Sequence, residues 1–178
     1  MKWIASVINR TGGAMSEQTN VRVGTPDDVH DIMELALNAC EENGFVSPNP
    51  ERLLNEIWPA LNLEDGVIGV IGNVGEKPEG AILLRVVTMW YSNEQILEEK
   101  AVFIDPKYRS AKGGRARCLC EFAKKVADSL SLPLLIGILS NQRTEGKVRL
   151  YERQFGTPSG AFFLYNARTG GWKAEAAE

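Results

Sequence analysis

The chain has 178 residues, with 20 Lys and Arg against 23 Asp and Glu, one His and three Cys. This length fits one domain with short appendages, and a domain of this size buries roughly 70% of its unfolded surface, so it needs no disulfide or metal to fold. The net charge of −3 excludes a protein that is basic throughout, as many nucleic-acid binders are, and leaves a local basic patch open.

The sequence also argues against a membrane protein, a secreted protein and a metal-binding protein. No apolar run approaches the roughly 20 residues of a membrane-spanning helix, and the apolar start of the chain is too short for a secretory signal. His30 is the single histidine, and the three cysteines form no C-x-x-C pair, so neither a zinc site nor a histidine-based hydrolase is expected. Free cysteines favour the reducing cytoplasm.

Residues 1–20 lack periodicity and are interpreted as an extension, 21–165 as one domain, and 166–178 as a tail. Apolar spacing, caps and turns predict ten elements within the domain. In chain order they are a strand at 21–23, helices at 26–43 and 50–61, strands at 67–74, 81–90 and 96–104, a helix at 113–130, a strand at 133–139, a helix at 142–154 and a strand at 161–165. Pro59 is expected to kink or end the second helix.

This β-α-α-β-β-β-α-β-α-β order predicts an α/β (α+β) fold. The three consecutive strands form an antiparallel meander, and the β-α-β crossover that follows places the strand at 133–139 parallel to the one at 96–104. The continuously apolar run at 133–139 is typical of a central strand covered on both faces. We therefore expect a mixed, mostly antiparallel sheet with helices on both faces.

Positive charge is concentrated where the strand ending at Ile104 turns into a helix. Five cations follow Asp105 with no further acid among them: Lys107, Arg109, Lys112, Arg115 and Arg117. Removing these five charges from the total of −3 leaves −8 on the rest of the chain. The helix begins at Gly113-Gly114, and free amides and the helix dipole favour anions there. The pattern predicts a phosphate site, with a solvated loop as the alternative.

The same segment resembles motif A of the GNAT superfamily of acyl-CoA-dependent N-acetyltransferases. The run 104–109, Ile-Asp-Pro-Lys-Tyr-Arg, is similar to the V-x-P-x-Y-R that ends a strand in that family, where an R-x-x-G-x-G/A loop then opens a long helix. Two registers of the loop are open. Counting from Arg109 puts Lys112 and Gly114 at the glycine positions, whereas a loop two residues longer makes 114–116, Gly-Arg-Ala, the G-x-A.

A second stretch is similar to motif B of the same family. There an Asn follows the fifth strand and L-Y-E-x-x-G-F ends the next helix. Here Asn141 follows the strand, and 150–156 reads Leu-Tyr-Glu-Arg-Gln-Phe-Gly, with the last two residues reversed. Element order also fits, so the resemblance covers residues 21–165.

The resemblance implies an acetyl-CoA-dependent N-acetyltransferase, with acetyl-CoA as co-substrate. In the family the pantetheine arm pairs with the strand that carries motif A, and the pyrophosphate lies on the loop that follows. The predicted cofactor-binding residues are Val102, Phe103, Ile104, Arg109, Ser110, Ala111, Lys112, Gly113, Gly114, Arg115, Ala116 and Asn141.

The resemblance also implies two catalytic residues for direct attack in a ternary complex. Glu98 matches the position at which some relatives keep a glutamate base, and its neighbour Glu99 points to the opposite face of the sheet, so only one is expected to face the cleft. Tyr151 resembles the general acid, a role that suits a phenol because its pKa near 10 keeps it protonated. An acyl-cysteine mechanism through Cys118 or Cys120 is an alternative, although buried structural thiols are commoner.

The expected partner is a small-molecule or peptide amine acceptor, with no nucleic acid and no membrane, and the chain is expected to be a monomer or homodimer. Two other classes stay open. A non-catalytic GNAT-fold module that binds acyl-CoA or regulates is favoured by the irregular glycine loop and the reversed Phe155-Gly156. A nucleic-acid-binding domain would use the cations of 107–117, but Tyr108 is the one aromatic residue among them.

Overall fold

The computed structural model describes residues 21–109, 114–140 and 144–164. The strands are β1 (Val21–Val23), β2 (Gly66–Ile71), β3 (Gly80–Thr88), β4 (Gln95–Ile104) and β5 (Leu134–Leu135). The helices are α1 (Val29–Asn43), α2 (Pro50–Leu61), α3 (Arg115–Leu130) and α4 (Thr144–Phe155), and single 3-10 turns cover Pro26–Asp28 and Pro106–Tyr108. No helix in these ranges is long and apolar enough to cross a membrane.

These strands form one sheet in the order β1-β2-β3-β4-β5. The first three pairings are antiparallel, and β5 runs parallel to β4. Helices pack on both faces, so the predicted fold class is confirmed. Pro59 does not end α2, because the helix continues to Leu61. Pro59 lies in the last turn of the helix, so its missing amide disturbs little of the helical hydrogen bonding.

The alternation of side chains along β2 divides the core into two clusters. Ile68 and Val70 face α1 and α2, whereas Val67 and Ile71 face α3. All six residues of β2 are buried, so this strand is covered on both faces. The first cluster also contains Ile32, Leu35, Ile57, Ala60 and Leu61, and the second contains Ile82, Leu84, Leu97, Leu119, Ala123, Val126 and Ala127.

A buried ion pair joins three separate elements at the β1 end of the sheet. Two guanidinium nitrogens of Arg22 donate to the two carboxylate oxygens of Asp28 at 2.6 and 2.8 Å, and its Nε donates to the Gly72 carbonyl at 2.9 Å. The Thr25 amide donates to the same carboxylate at 2.8 Å. β1, the start of α1 and the β2–β3 hairpin are thereby held together.

Gly69, in β2, lies directly against Phe122 of α3. A Cβ added there would lie 2.6 Å from Cδ1 of Phe122, on α3, and 3.0 Å from a methyl group of Ile82. A glycine is therefore required in the middle of β2 for packing.

Replacing Gly69 with alanine is expected to lower the free energy of unfolding by roughly 1–3 kcal/mol, because the methyl group overpacks the core against the Phe122 ring. Gly146→Ala is the matched control, since its Cβ would meet no atom within 4 Å and alanine favours a helix interior. Urea unfolding of both variants measures the difference. Equal midpoints would show that Phe122 moves aside at no cost.

One extra residue in β4 changes which face its side chains occupy. Leu84 pairs with Glu99 and Leu83 with Ala101, so Lys100 is a bulge between them. Leu97 packs on the α3 face before the bulge, and Val102 and Ile104 pack there after it. The bulge therefore switches that face from odd to even positions in β4.

Two predicted strands differ from the structure. The strand expected at 133–139 is present and pairs parallel to β4, as predicted, but its ladder covers only Leu134–Leu135 and lies at the edge of the described sheet, so its predicted length and central position are wrong. The last strand, expected at 161–165, is wrong for 161–164, which have no ladder partner; residue 165 lies outside the described ranges. Their apolar character serves instead to line a cavity, as described next.

Candidate active site

A cavity of about 1100 Å³ opens where β4 and β5 separate. The two strands pair only at Leu97 with Leu134 and at Glu98 with Leu135 in the described part of the chain. Beyond these pairs, β4 continues to Ile104 along one wall, and Gly137 and Leu139 lie along the other. This volume is slightly above the range of about 300–1000 Å³ that is usual for small-molecule and cofactor sites.

The structure places the predicted pantetheine residues in this cleft. Val102, Phe103 and Ile104 all line it. The Ile104 carbonyl already accepts a hydrogen bond of 2.6 Å from Nε of Arg109. An extended ligand along β4 would therefore find its backbone partners before Ile104.

The N-terminus of α3 lies at one end of the cleft, where Gly114, Arg115 and Ala116 line the wall. Gly114 caps the helix with φ 63° and ψ 0°, a left-handed conformation that glycine adopts without strain. The first amides of a helix have no partner within it and carry the positive end of its dipole, so this end of the cleft suits an anion. The predicted residues Ser110, Ala111, Lys112, Gly113 and Asn141 lie outside the described residues.

Two of the predicted phosphate-binding arginines are held by acids from distant parts of the chain. Arg109 donates to Glu42 of α1 at 2.6 Å, with its guanidinium over the Phe103 ring at 4.9 Å. Arg115 donates to Glu79, in the β2–β3 hairpin. These acids reduce the positive charge of the basic segment, and sequence reasoning missed both because they are 67 and 36 residues away.

Glu98 is the last residue of β4 that pairs with β5, and Glu99 follows it. Both residues line the cleft, which corrects the expectation that only one of them would face it. Their side chains lie on opposite faces of β4, and both residues border the gap where β4 and β5 separate. Glu98 forms an ion pair of 2.6 Å with Lys100, and both are about one-third exposed. Oε2 of Glu99 accepts a hydrogen bond of 3.4 Å from the Gly137 amide across the gap. Burial raises the pKa of Glu99 to about 7.

Tyr151 lines the cleft from α4. Its ring meets the edge of Phe155 at a centroid distance of 5.5 Å. Burial, with the neighbouring Glu99 charge adding to it, raises the pKa of the Tyr151 phenol above its usual value. The phenol is therefore a proton donor, not a phenolate, at any physiological pH.

The cysteines do not resemble a nucleophilic centre. Cys40, Cys118 and Cys120 are free, and burial raises the pKa of all three thiols. A thiol that stays protonated is a poor nucleophile. Within the described ranges, no group of three or more His, Cys, Asp or Glu side chains is placed to hold a metal ion.

One wall of the cleft was missed as such by the sequence analysis. Phe162, Phe163 and Leu164 line it, with Phe162 and Phe163 more than two-thirds exposed. A Cβ on Gly137 would lie 3.0 Å from the Phe162 ring, so the segment runs against the chain that follows β5. The apolar run at 161–164 was the signal, and it was interpreted as a strand.

The fold is that of solved acetyltransferases. No family model matches this chain, and no curated protein matches it significantly. Among solved structures, an acetyltransferase assigned as putative from Arthrobacter sp. FB24 is 22% identical with a TM-score of 0.61, covering 88% of this chain and 99% of its own.

Two further structures show the same likeness. A possible acetyltransferase from Clostridium difficile 630 is 17% identical with a TM-score of 0.61, and covers 84% of this chain and 97% of its own. The aminoglycoside N-acetyltransferase AAC(6')-Iy, in complex with CoA, is 10% identical with a TM-score of 0.62, covering 88% and 99%. At these identities the comparisons show a shared fold, which agrees with the GNAT resemblance of the two sequence motifs.

Proposed function

We propose that this chain is an acetyl-CoA-dependent N-acetyltransferase that moves an acetyl group to a primary amine by direct attack in a ternary complex. One observation carries the proposal: the gap between β4 and β5 joins a helix N-terminus at one end to the protonated phenol of Tyr151. The cleft thus combines an anion-binding end with a proton donor. The solved acetyltransferases that share the fold support the same activity.

The residues of the cleft fit acetyl-CoA, which supplies an activated thioester when bound. Val102 and Phe103 present backbone along the wall of β4, where the pantetheine arm would lie. Arg115 and Ala116 place the N-terminus of α3 where the pyrophosphate would lie. Arg109 acts at the same end, and the guanidiniums of Arg109 and Arg115 exchange their carboxylate partners, Glu42 and Glu79, for phosphate oxygens. The predicted residues 110–113 and Asn141 complete the proposed cofactor site.

Two side chains move the protons of the reaction. Glu98 takes a proton from the attacking amine, which must be a free base to attack a carbonyl carbon. Its carboxylate lies 2.6 Å from the Lys100 ammonium. Tyr151 gives its phenolic proton to the departing sulfur, and its raised pKa ensures that the proton is present. The amine nitrogen loses one proton and the sulfur gains one, so the transfer balances.

The acceptor is a small-molecule or peptide amine. We place its entry on the α1 side of the cleft, where Ala39 and Asn43 line the wall. Because one solved relative of the fold is an aminoglycoside N-acetyltransferase, aminoglycosides belong in the test panel beside simple amines and peptide N-termini.

Acetyl-CoA at about 100 times its dissociation constant is expected to stabilise the protein by roughly 2.7 kcal/mol, which corresponds to a rise in Tm of roughly 5–10 °C. Differential scanning fluorimetry measures the shift. Acetyl-pantetheine, which lacks the nucleotide and its phosphates, is the matched ligand control and is expected to give a much smaller shift, because it makes no contact with the N-terminus of α3.

Release of CoA thiol in the presence of the amine panel then tests turnover. CoA release with at least one amine supports the enzyme. A shift in Tm without release from any amine would instead favour the non-catalytic acyl-CoA-binding module. No shift at millimolar acetyl-CoA contradicts both.

A further inference from the structure

Glu99 is a partly buried acid of the cleft that the proton transfers above do not use. It precedes the bulge at Lys100, so its side chain lies on the α3 face, opposite Glu98. The Gly137 amide donates to its carboxyl at 3.4 Å across the gap between β4 and β5. Glu99 and Tyr151 line the same cavity, and the negative charge of Glu99 is close enough to make the phenol harder to ionise.

The charged and titratable groups around Glu99 come from three elements. Tyr151 and Lys147 face it from α4, Cys120 from α3, and Glu98 is its neighbour in β4. Burial raises the pKa of Glu99, the Glu98 charge adds to this, and the Lys147 ammonium opposes it. The net result is a pKa of about 7. Cys120, with a pKa of about 12, and Tyr151 keep their protons at neutral pH.

Tyr151 needs a source of protons after each turnover. Once its proton has gone to the departing sulfur, a phenolate is left in a partly buried position where water competes poorly for its charge. The phenol must be restored before the next acetyl group can be transferred. An acid in the same cavity that holds its proton near pH 7 meets that need.

Resting on the proposed function, we propose that Glu99 is a positioning residue that holds a proton in the cleft and returns it to Tyr151 after each transfer. The O–H bond of the Glu99 carboxyl breaks and the O–H bond of the Tyr151 phenol forms, with one water carrying the proton between the two side chains. Glu99 is partly exposed, so its carboxylate then takes a proton from water. The cycle needs no other reactant, since the proton lost by the amine at Glu98 is released to the same solvent.

The pH profile of kcat tests this role. In the unaltered protein, turnover is expected to fall about tenfold for each pH unit above the titration of Glu99, because the acid form is depleted. In Glu99→Gln this alkaline fall disappears between pH 7 and 9, and turnover at pH 7 is at least about tenfold lower. Glu152→Gln is the matched control: it makes the same chemical change at an exposed position next to Tyr151 and is expected to keep the original profile.

Two further measurements separate a proton-holding role from a merely structural one. In a Tyr151→Phe background, Glu99→Gln should cause no further loss of turnover, since there is no phenol to restore. The melting temperature reports the titration of Glu99 without any measurement of enzyme activity. Because the folded pKa of Glu99 lies above that of an unfolded carboxyl, the protein should lose stability as the pH rises from 5 to 8, and Glu99→Gln should lose less.

The outcomes are distinguishable. An alkaline fall that persists in Glu99→Gln, or an equal loss with and without the Tyr151 hydroxyl, overturns the role of Glu99 and leaves the acetyltransferase intact. CoA release from neither the unaltered protein nor any variant overturns the proposed function and this inference with it. Calorimetry of acetyl-CoA binding to each variant shows that the cleft is still formed.

Discussion

Replacement of Tyr151 with phenylalanine is expected to lower kcat about 10²- to 10⁴-fold, the range typical for loss of a general acid. The phenyl ring keeps the edge contact with Phe155, so α4 stays in place and acetyl-CoA binding stays within about twofold. What is lost is the proton that burial holds on the phenol at all physiological pH. Steady-state CoA release and calorimetric titration with acetyl-CoA measure the two quantities separately.

Tyr91→Phe is the control for Tyr151→Phe, because Tyr91 is two-thirds exposed and does not line the cleft. Its turnover should match that of the unaltered protein. If Tyr151→Phe also keeps turnover within about threefold, the tyrosine serves only to pack α4, and the sulfur is protonated from water.

Replacement of Arg22 with methionine is expected to lower the free energy of unfolding at pH 7 by about 3–5 kcal/mol, because it leaves the Asp28 carboxylate buried without its partner. Asp28 is only 7% exposed, and the Thr25 amide alone replaces little of the lost charge. Urea unfolding measures the loss. The double variant Arg22→Met, Asp28→Asn removes the stranded charge and should recover part of the stability.

The same ion pair sets an acid limit to stability. The Arg22 guanidinium holds the pKa of Asp28 below its usual value, so the folded state binds the proton less tightly than the unfolded chain does. The stabilisation is therefore complete at neutral pH and is lost as the pH falls below about 4. A variant Arg22→Met that unfolds at the same urea concentration as the unaltered protein would show that the pair contributes nothing.

Local patterns were sufficient to predict most of the fold. The cap and proline at Thr25-Pro26, the glycine after Asn43 and the apolar stripe of α3 each determine an element within a few residues, and the structure has them there. The meander of β2, β3 and β4 follows from alternation and turn chemistry. These features depend on neighbours in the sequence, which is why a single sequence reveals them.

The remaining features of the fold and the site depend on contacts between distant residues, which no local sequence pattern indicates. The bulge at Lys100 is one residue with ordinary composition, yet it decides which face each later side chain of β4 occupies. An apolar run cannot distinguish a covered strand from the wall of a cavity, so 133–139 and 161–164 were both interpreted as strands. The pKa of Glu99 is raised only by its burial in the folded chain, which no pattern in the sequence near Glu99 indicates.

The sheet on one side of the cleft and α4 on the other differ greatly in how much of their surface is buried. β2, near the middle of the sheet, is buried along its whole length, whereas α4, which is described from end to end, has no fully buried residue. Segments with little buried surface open locally at a small cost in free energy, long before the core melts. The helix α4, which carries Tyr151, is such a segment. Moderate heating should therefore abolish the proposed acetyl transfer while the sheet remains folded. A ligand that bridges β4 and α4 would fasten that helix to the core.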